Sequence, residues 1–326
     1  MNPKKVIGIA FSDLHIHDYS KFNKNNSRTL NHFDVITQVT DLCSDYKCPA
    51  FFIGDLFHRP EFITQSLLKQ SIEFFKDKVG QWPIYCISGN HDTPYVTTID
   101  GEQVNYIDTL SKVFPSFIIP VHNRTIKLKI NGKKFAITGL NYIDHNIGVN
   151  QWLKEYQPVR DTICMLHTDY QGAKDTDGSQ IDSVENLNTN LLKSFKLVLL
   201  GHIHQPQRLG KKTYMVGAPL QQRRTDKNCE DLGYLIIYDD FSVEWKKFDK
   251  QYPRFIDVSS DQDIKDDGNY YTLIEKSLES FEKVETSHGI EKSLSKTKIA
   301  KRYLKHRGIK DEGKKKILIK VLKDSE

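Results

Sequence analysis

The chain has 326 residues, of which 38% are hydrophobic and 27% charged, with a formal net charge of +5; its mean hydropathy is −0.53. These values exclude a compositionally disordered chain and leave room for one large core with an appendage. No run approaches the roughly 18 apolar residues of a membrane span, and the stretch at 6–11 is too short for a signal-peptide core, so a cytoplasmic protein without a membrane partner is expected.

The first predicted strand covers 6–11 and runs into Asp13-Leu14-His15. A helix is predicted over 29–46, then a strand over 50–53 that ends in Gly54-Asp55. The segment 64–79 places Leu67, Leu68, Ile72 and Phe75 at helical spacing, and the strand after it, 84–87, leads into Gly89-Asn90-His91-Asp92. Asn131-Gly132 marks a hairpin turn between runs at 125–130 and 135–138, so antiparallel pairing enters there. Strands at 162–166 and 196–200 end in His167 and in Gly201-His202-Ile203-His204, and a last strong strand covers 234–238. The alternation is an α/β pattern with at least two layers around a mixed sheet.

Beyond that strand the pattern loosens. The polar stretch 259–269 reads as a boundary or long loop before a helical-looking 273–284, which divides the chain into a main domain, 1–250, and a C-terminal region, 251–326. Residues 291–326 hold 13 Lys/Arg against 5 Asp/Glu, leaving 34 against 37 in the rest. A near-neutral body with a basic tail suits a polyanion partner, although a solvated basic helix has the same composition. Five cysteines without a C-x-x-C pair are read as reduced thiols.

Five strands therefore end in clusters of metal-ligand residue types, where ligands bind in α/β sheets. Carboxylate oxygen, amide oxygen and imidazole nitrogen together suit Mn²⁺, Fe²⁺ or Zn²⁺, while the four imidazoles disfavour Mg²⁺. Residues i and i+2 of an extended strand end point the same way, which pairs Asp13 with His15 and His202 with His204. A lone His or Asp is usually structural; five clusters in this order are not.

The ordered set D-x-H, G-D, G-N-H-D, H and G-H-x-H resembles the signature of the calcineurin-like metallophosphoesterase superfamily over residues 6–240. The resemblance implies a four-layer αββα sandwich and two metals, the first on Asp13, His15, Asp55 and His204, the second on Asp55, Asn90, His167 and His202. It also implies hydrolysis by in-line displacement without a covalent intermediate. His91 would protonate the leaving alkoxide or neutralise phosphoryl charge, with Asp92 orienting its ring.

Gly54-Asp55-Leu56-Phe57-His58 looks like the matching stretch of SbcD-type DNA repair nucleases, in which the His at the position of His58 helps seat the scissile phosphate. Gly201 to Pro206, Gly217-Ala218-Pro219 and Gly233-Tyr234 run like the same enzymes, although Ala218 replaces a common Ser and His17 a usual Gly. The overall size is similar to the recombination nuclease subunits of large bacteriophages, which would place the protein in a host cytoplasm. The resemblance implies a Mn²⁺-dependent DNA exonuclease and endonuclease of double-strand-break repair or recombination, an SMC-like ABC-type ATPase partner docking near Ile299, Tyr303 and Leu304, and a homodimer through the helices at 29–46 and 64–79. The alternatives are a phosphomonoesterase or small-molecule phosphodiesterase on the same core, and a non-catalytic scaffold. His17, His32 and His122 have no assigned role and are read as surface or packing residues, His17 being the exception to watch because it follows the first motif.

Overall fold

Runs that are apolar at every position form strands covered on both faces. The strands β1 (Val6–Phe11), β2 (Ala50–Ile53) and β3 (Ile84–Ile87) are of this kind and are buried along their whole length. Between them lie α1 (Ser27–Tyr46) and α2 (Gln65–Lys78). Thr64 caps α2 by accepting from Leu67 N at 3.1 Å, and the helix buries Leu67, Ser71 and Phe75, one face at spacing four. The computed structural model describes residues 3–19, 27–94, 104–143, 146–182, 187–229 and 231–274.

The chain continues through α3 (Tyr106–Val113), β4 (Ile118–Pro120), β5 (Ile126–Ile130), β6 (Lys133–Leu140) and α4 (Asn146–Glu155). There follow β7 (Thr162–His167), β8 (Leu197–Gly201), β9 (Gln207–Arg208), β10 (Thr213–Met215), β11 (Tyr234–Tyr238) and β12 (Val243–Lys246). The hairpin expected at Asn131-Gly132 joins β5 to β6, with both turn residues at positive φ, 49° and 87°, as a two-residue turn of this type requires.

These strands make two mixed six-stranded sheets, ordered β12-β11-β1-β2-β3-β4 and β5-β6-β7-β8-β10-β9, where the alternation of elements had suggested one. The ambiguity is physical. A strand buried on both faces has the same apolar sequence whether it meets a helix or a second sheet.

In β7 and β8, Ile163, Met165, Leu197 and Leu199 join the core shared with β1, β2 and β3, whereas the alternate residues Cys164, Leu166, Val198 and Leu200 pack with Val149 and Leu153 of α4. Residues of α1 and α2 cover the first sheet and contribute Phe33, Ile36, Val39, Leu67 and Phe75 to the shared core. The layers are thus helix, sheet, sheet, helix, the four-layer arrangement of a metallophosphoesterase sandwich. The edge strands β5 and β12 alternate between covered and exposed side chains and carry lysines, which blunts both edges.

Two compact units divide the chain, one comprising Met1–Ile256 and Lys265–Tyr271, the other Asp257–Ile264 and Thr272–Glu326. A small two-stranded sheet pairs β13 (Phe255–Val258) with β14 (Tyr270–Leu273). The predicted helix at 273–284, apart from its first two residues, lies outside the described residues, as do the basic tail and the segment around Ile299, Tyr303 and Leu304. All five cysteines are buried and free. Among the described residues no helix is long and apolar enough to cross a membrane.

Candidate metal centre

The parallel strands β1, β2, β3, β7 and β8 bring the five polar clusters to one place, because each strand's C-terminal end leads directly into its cluster. The turns there are tight. Asp13, His15, Asp55 and His202 adopt positive φ of 53°, 49°, 61° and 97°, a region that costs L-residues about 1–3 kcal/mol when the surroundings impose it. A Cβ on Gly89 would lie 2.1 Å from Asp55 Oδ1, and one on Gly201 2.3 Å from Ile53 O, so glycine is what lets these turns close on one another.

Asp13, His15 and His204 offer ligand atoms that lie within 4.8 Å of one another, and so do Asp13, Asp55 and His167. Asp55 Oδ2 stands 3.5 Å from His15 Nε2 and 3.4 Å from His167 Nε2, between the two sets. Asn90 Oδ1 is 3.1 Å from His167 Nε2 and 2.9 Å from His202 Nδ1. All seven residues singled out as ligands therefore converge.

Their protonation is legible from the partners of the opposite ring atoms. His167 Nδ1 faces the Ile53 carbonyl at 2.7 Å, and a carbonyl only accepts, so Nδ1 carries a proton and Nε2 is the ring atom turned toward Asn90 Oδ1 and Asp55. His204 Nδ1 meets the Asp226 carboxylate at 2.9 Å, which leaves its Nε2 facing His15 Nε2 at 3.1 Å. Acceptors converge on acceptors, an arrangement that a proton satisfies in part and a divalent cation satisfies fully. The buried His15 Nδ1 has no hydrogen-bond partner. The residues present fit a pair of metal ions.

Burial pushes the His15 imidazole well below its usual 6.5, and His204, His91 and His58 add to the effect against the pull of Asp55. Burial also opposes charge on His167, yet the neighbouring Asp55 carboxylate raises it to about 9. The Asp226 carboxyl is held at about 2 against its burial by the His204 bond.

His91 and His58 lie over this floor, with rings stacked at 5.3 Å and both near the His15 ring, at 4.6 and 5.4 Å. The His91 backbone N–H donates to Asp55 Oδ1 at 2.8 Å, and its Nδ1 donates to the His58 carbonyl at 2.6 Å. Burial, then His91 and Arg59, hold His58 at about 4. The orientation of His91, assigned to Asp92 in the sequence analysis, is set by that carbonyl instead. Asp92 accepts from four backbone amides, those of Asp55, Leu56, Phe57 and Gly89, and so fixes two of the ligand turns.

Several contributors escaped the sequence reading. Asp226 also accepts from Gln222 N and Arg223 N, and Asp169 Oδ1 lies 3.2 Å from His202 Nε2; both give a candidate ligand histidine a carboxylate on its other nitrogen. Gln222 donates to the Asp13 carbonyl and accepts from Arg28, a fully buried cation. His17 and His32 are buried beside that arginine, and neither belongs to a group of potential metal ligands among the described residues. His122 accepts from Asn141 N. The centre opens into a cavity of about 250 Å³ lined by His15, Asp55, His58, His91, His202 and His204 together with Asp169, Asp175, Gln222 and Arg223.

The profile of the calcineurin-like phosphoesterase family matches residues 9–206. The chain is similar to a putative phosphoesterase of Invertebrate iridescent virus 6, 25% identical over 222 residues that cover 64% of this chain and 71% of that protein. It is also similar to the DNA double-strand break repair protein Mre11 of Sulfolobus acidocaldarius, 27% identical over 207 residues, 60% of this chain. That match spans about half of the archaeal protein, 48%. Among solved structures, a 5'-nucleotidase precursor from Thermus thermophilus aligns with 66% of this chain and 45% of its own at 12% identity and a TM-score of 0.34.

Proposed function

This chain belongs to the calcineurin-like phosphoesterase family, whose members hydrolyse phosphoester bonds at a dimetal centre, and from that premise we propose that it is a Mn²⁺-dependent DNA nuclease acting in double-strand-break repair or recombination. The observation that carries the proposal is the placement of His58, which stacks on His91 above the convergent ligands and lines the cavity. Similarity to a double-strand-break repair protein supports it.

Asp13, His15, Asp55 and His204 would hold one cation, and Asp55, Asn90, His167 and His202 the other. When bound, the pair would supply electrophilic polarisation of the phosphoryl group and acidification of the attacking water. The protein supplies the rest. Because His91 Nδ1 already donates to a carbonyl, protonation of the ring places the second N–H on Nε2, where it is available to the leaving alkoxide. His58, stacked on that ring, would seat the scissile phosphate. The same reading carries an SMC-like ATPase partner, docking on a C-terminal segment outside the described residues, and dimerisation through α1 and α2.

The test is degradation of a linear, end-labelled duplex by the purified protein with Mn²⁺, Mg²⁺ or EDTA, beside an Asp55→Asn protein and a chromogenic phosphodiester. Manganese-dependent shortening of the duplex that Asp55→Asn lacks is the expected result. Turnover of the chromogenic ester with the duplex intact, even when an ATPase partner is added, would move the protein to the small-substrate phosphoesterases.

A further inference from the structure

We propose that Arg223 is the residue with which this site recognises a phosphate group of its substrate, and that Asp175 and Asp226 exist in part to hold the guanidinium at the cavity wall. Arg223 lines the same cavity as His58 and His91, and its side chain is half-exposed at 50%, so it is reachable from the space a substrate would enter. Its backbone N–H and its Nε both donate to Asp226, at 3.1 and 3.2 Å. One terminal nitrogen reaches both oxygens of Asp175, at 2.7 and 2.8 Å. Asp226 is itself fully buried and bonded to His204, which ties the position of the arginine to the ligand cluster.

Charge makes the case for a ligand. The described residues around this cavity include the carboxylates of Asp55, Asp169 and Asp175, and Arg223 is the one among them whose positive charge is permanent. An anionic phosphoester entering between those carboxylates needs a fixed cation. The planar guanidinium presents five N–H donors, and the two carboxylates engage Nε and one terminal nitrogen, leaving the other terminal nitrogen for a phosphate oxygen. A purely structural role, an ion pair that braces the loop carrying Asp175, would need no exposure to the cavity.

The inference rests on the reading of the site as a phosphoesterase, and the experiment separates the two. The protein of residues 1–326, its Arg223→Gln and Arg223→Lys variants and Asp175→Asn are assayed on a chromogenic phosphodiester with inorganic phosphate as inhibitor, and phosphate and Mn²⁺ binding are followed by calorimetry. Arg223→Gln is expected to raise KM and the phosphate inhibition constant by about tenfold or more while kcat stays within about threefold. Arg223→Lys recovers part of that loss, and Asp175→Asn, which keeps the cation, has the smaller effect.

An unshifted KM and phosphate affinity in Arg223→Gln, with only a lower melting temperature or weaker Mn²⁺ binding, would overturn the assignment. So would an Asp175→Asn protein that reproduces the whole effect. If the wild-type protein hydrolyses no phosphoester, the phosphoesterase reading fails by itself, and the calorimetric comparison of phosphate binding still decides the role of Arg223.

Discussion

The two halves of the candidate centre are built differently. On one side His15, His204 and Asp226 are sealed, with side chains no more than 8% exposed. On the other, His202 and its partner Asp169 are 27% and 41% exposed, and Asn90 stands between them and His167. In the sealed half His204 is held by Asp226, a carboxylate with no exposed side-chain surface, so that ion pair is not screened by solvent. The open half is held by a carboxylate that solvent screens. A metal in the first half should behave as part of the protein, and one in the second as part of the reaction.

The change expected to have the largest effect removes the residue both halves share. Asp55→Asn should lower hydrolysis by on the order of a thousandfold or more, since it removes the carboxylate that would serve both cations and with it several kcal/mol of charge stabilisation; steady-state kinetics with matched circular dichroism would check it. His91→Asn follows, with a fall of about 10²- to 10⁴-fold in kcat and metal binding unchanged by calorimetry.

The comparison itself is sharpened by Asp226→Asn against Asp169→Asn. Loss of a carboxylate behind a ligand histidine typically costs about 10–100-fold in metal affinity, and the buried Asp226 should fall at the upper end while Asp169 falls at the lower. Equal losses, titrated with Mn²⁺, would break the distinction between the halves.

The smallest effect lies away from both. Asp34 is partly buried, which opposes ionisation, but it accepts from Lys250 Nζ at 3.0 Å and Tyr252 Oη at 2.8 Å, and these hold its carboxyl below the ordinary 3.8. A depressed folded-state value contributes stability above the unfolded pKa that is lost as pH falls through the folded one. Wild type and Asp34→Asn should therefore differ in melting temperature at neutral pH and converge below about pH 3.8. A gap that persists in acid would deny the carboxylate that role.

What could be read in the sequence follows from the same division. β1, β2, β3, β7 and β8 are apolar at nearly every position, and the ligand types stand immediately after them, so both strand and ligand were legible. β4 and β10 are three residues each, too short to establish a period. Asp226 lies 22 residues beyond His204 in a run, Gln221 to Asn228, whose polarity reads as surface; only the fold returns it to the interior. Asp169 and Asp175 meet partners distant in the chain, His202 and Arg223, which no local pattern announces. The burial of Arg28 with His17 and His32 was likewise invisible, because nothing in α1 distinguishes an inward-facing arginine from a solvated one.

The left-handed backbone at Asp13, His15, Asp55 and His202 bears on how the protein would respond to laboratory evolution. Glycine adopts such a conformation without penalty, so at each of these positions the substitution that relaxes the chain is also the one that deletes a candidate ligand. Selection for heat resistance alone would then drift toward an inert protein, and an active, hardened variant would have to find its gains in the strand bodies and helices instead.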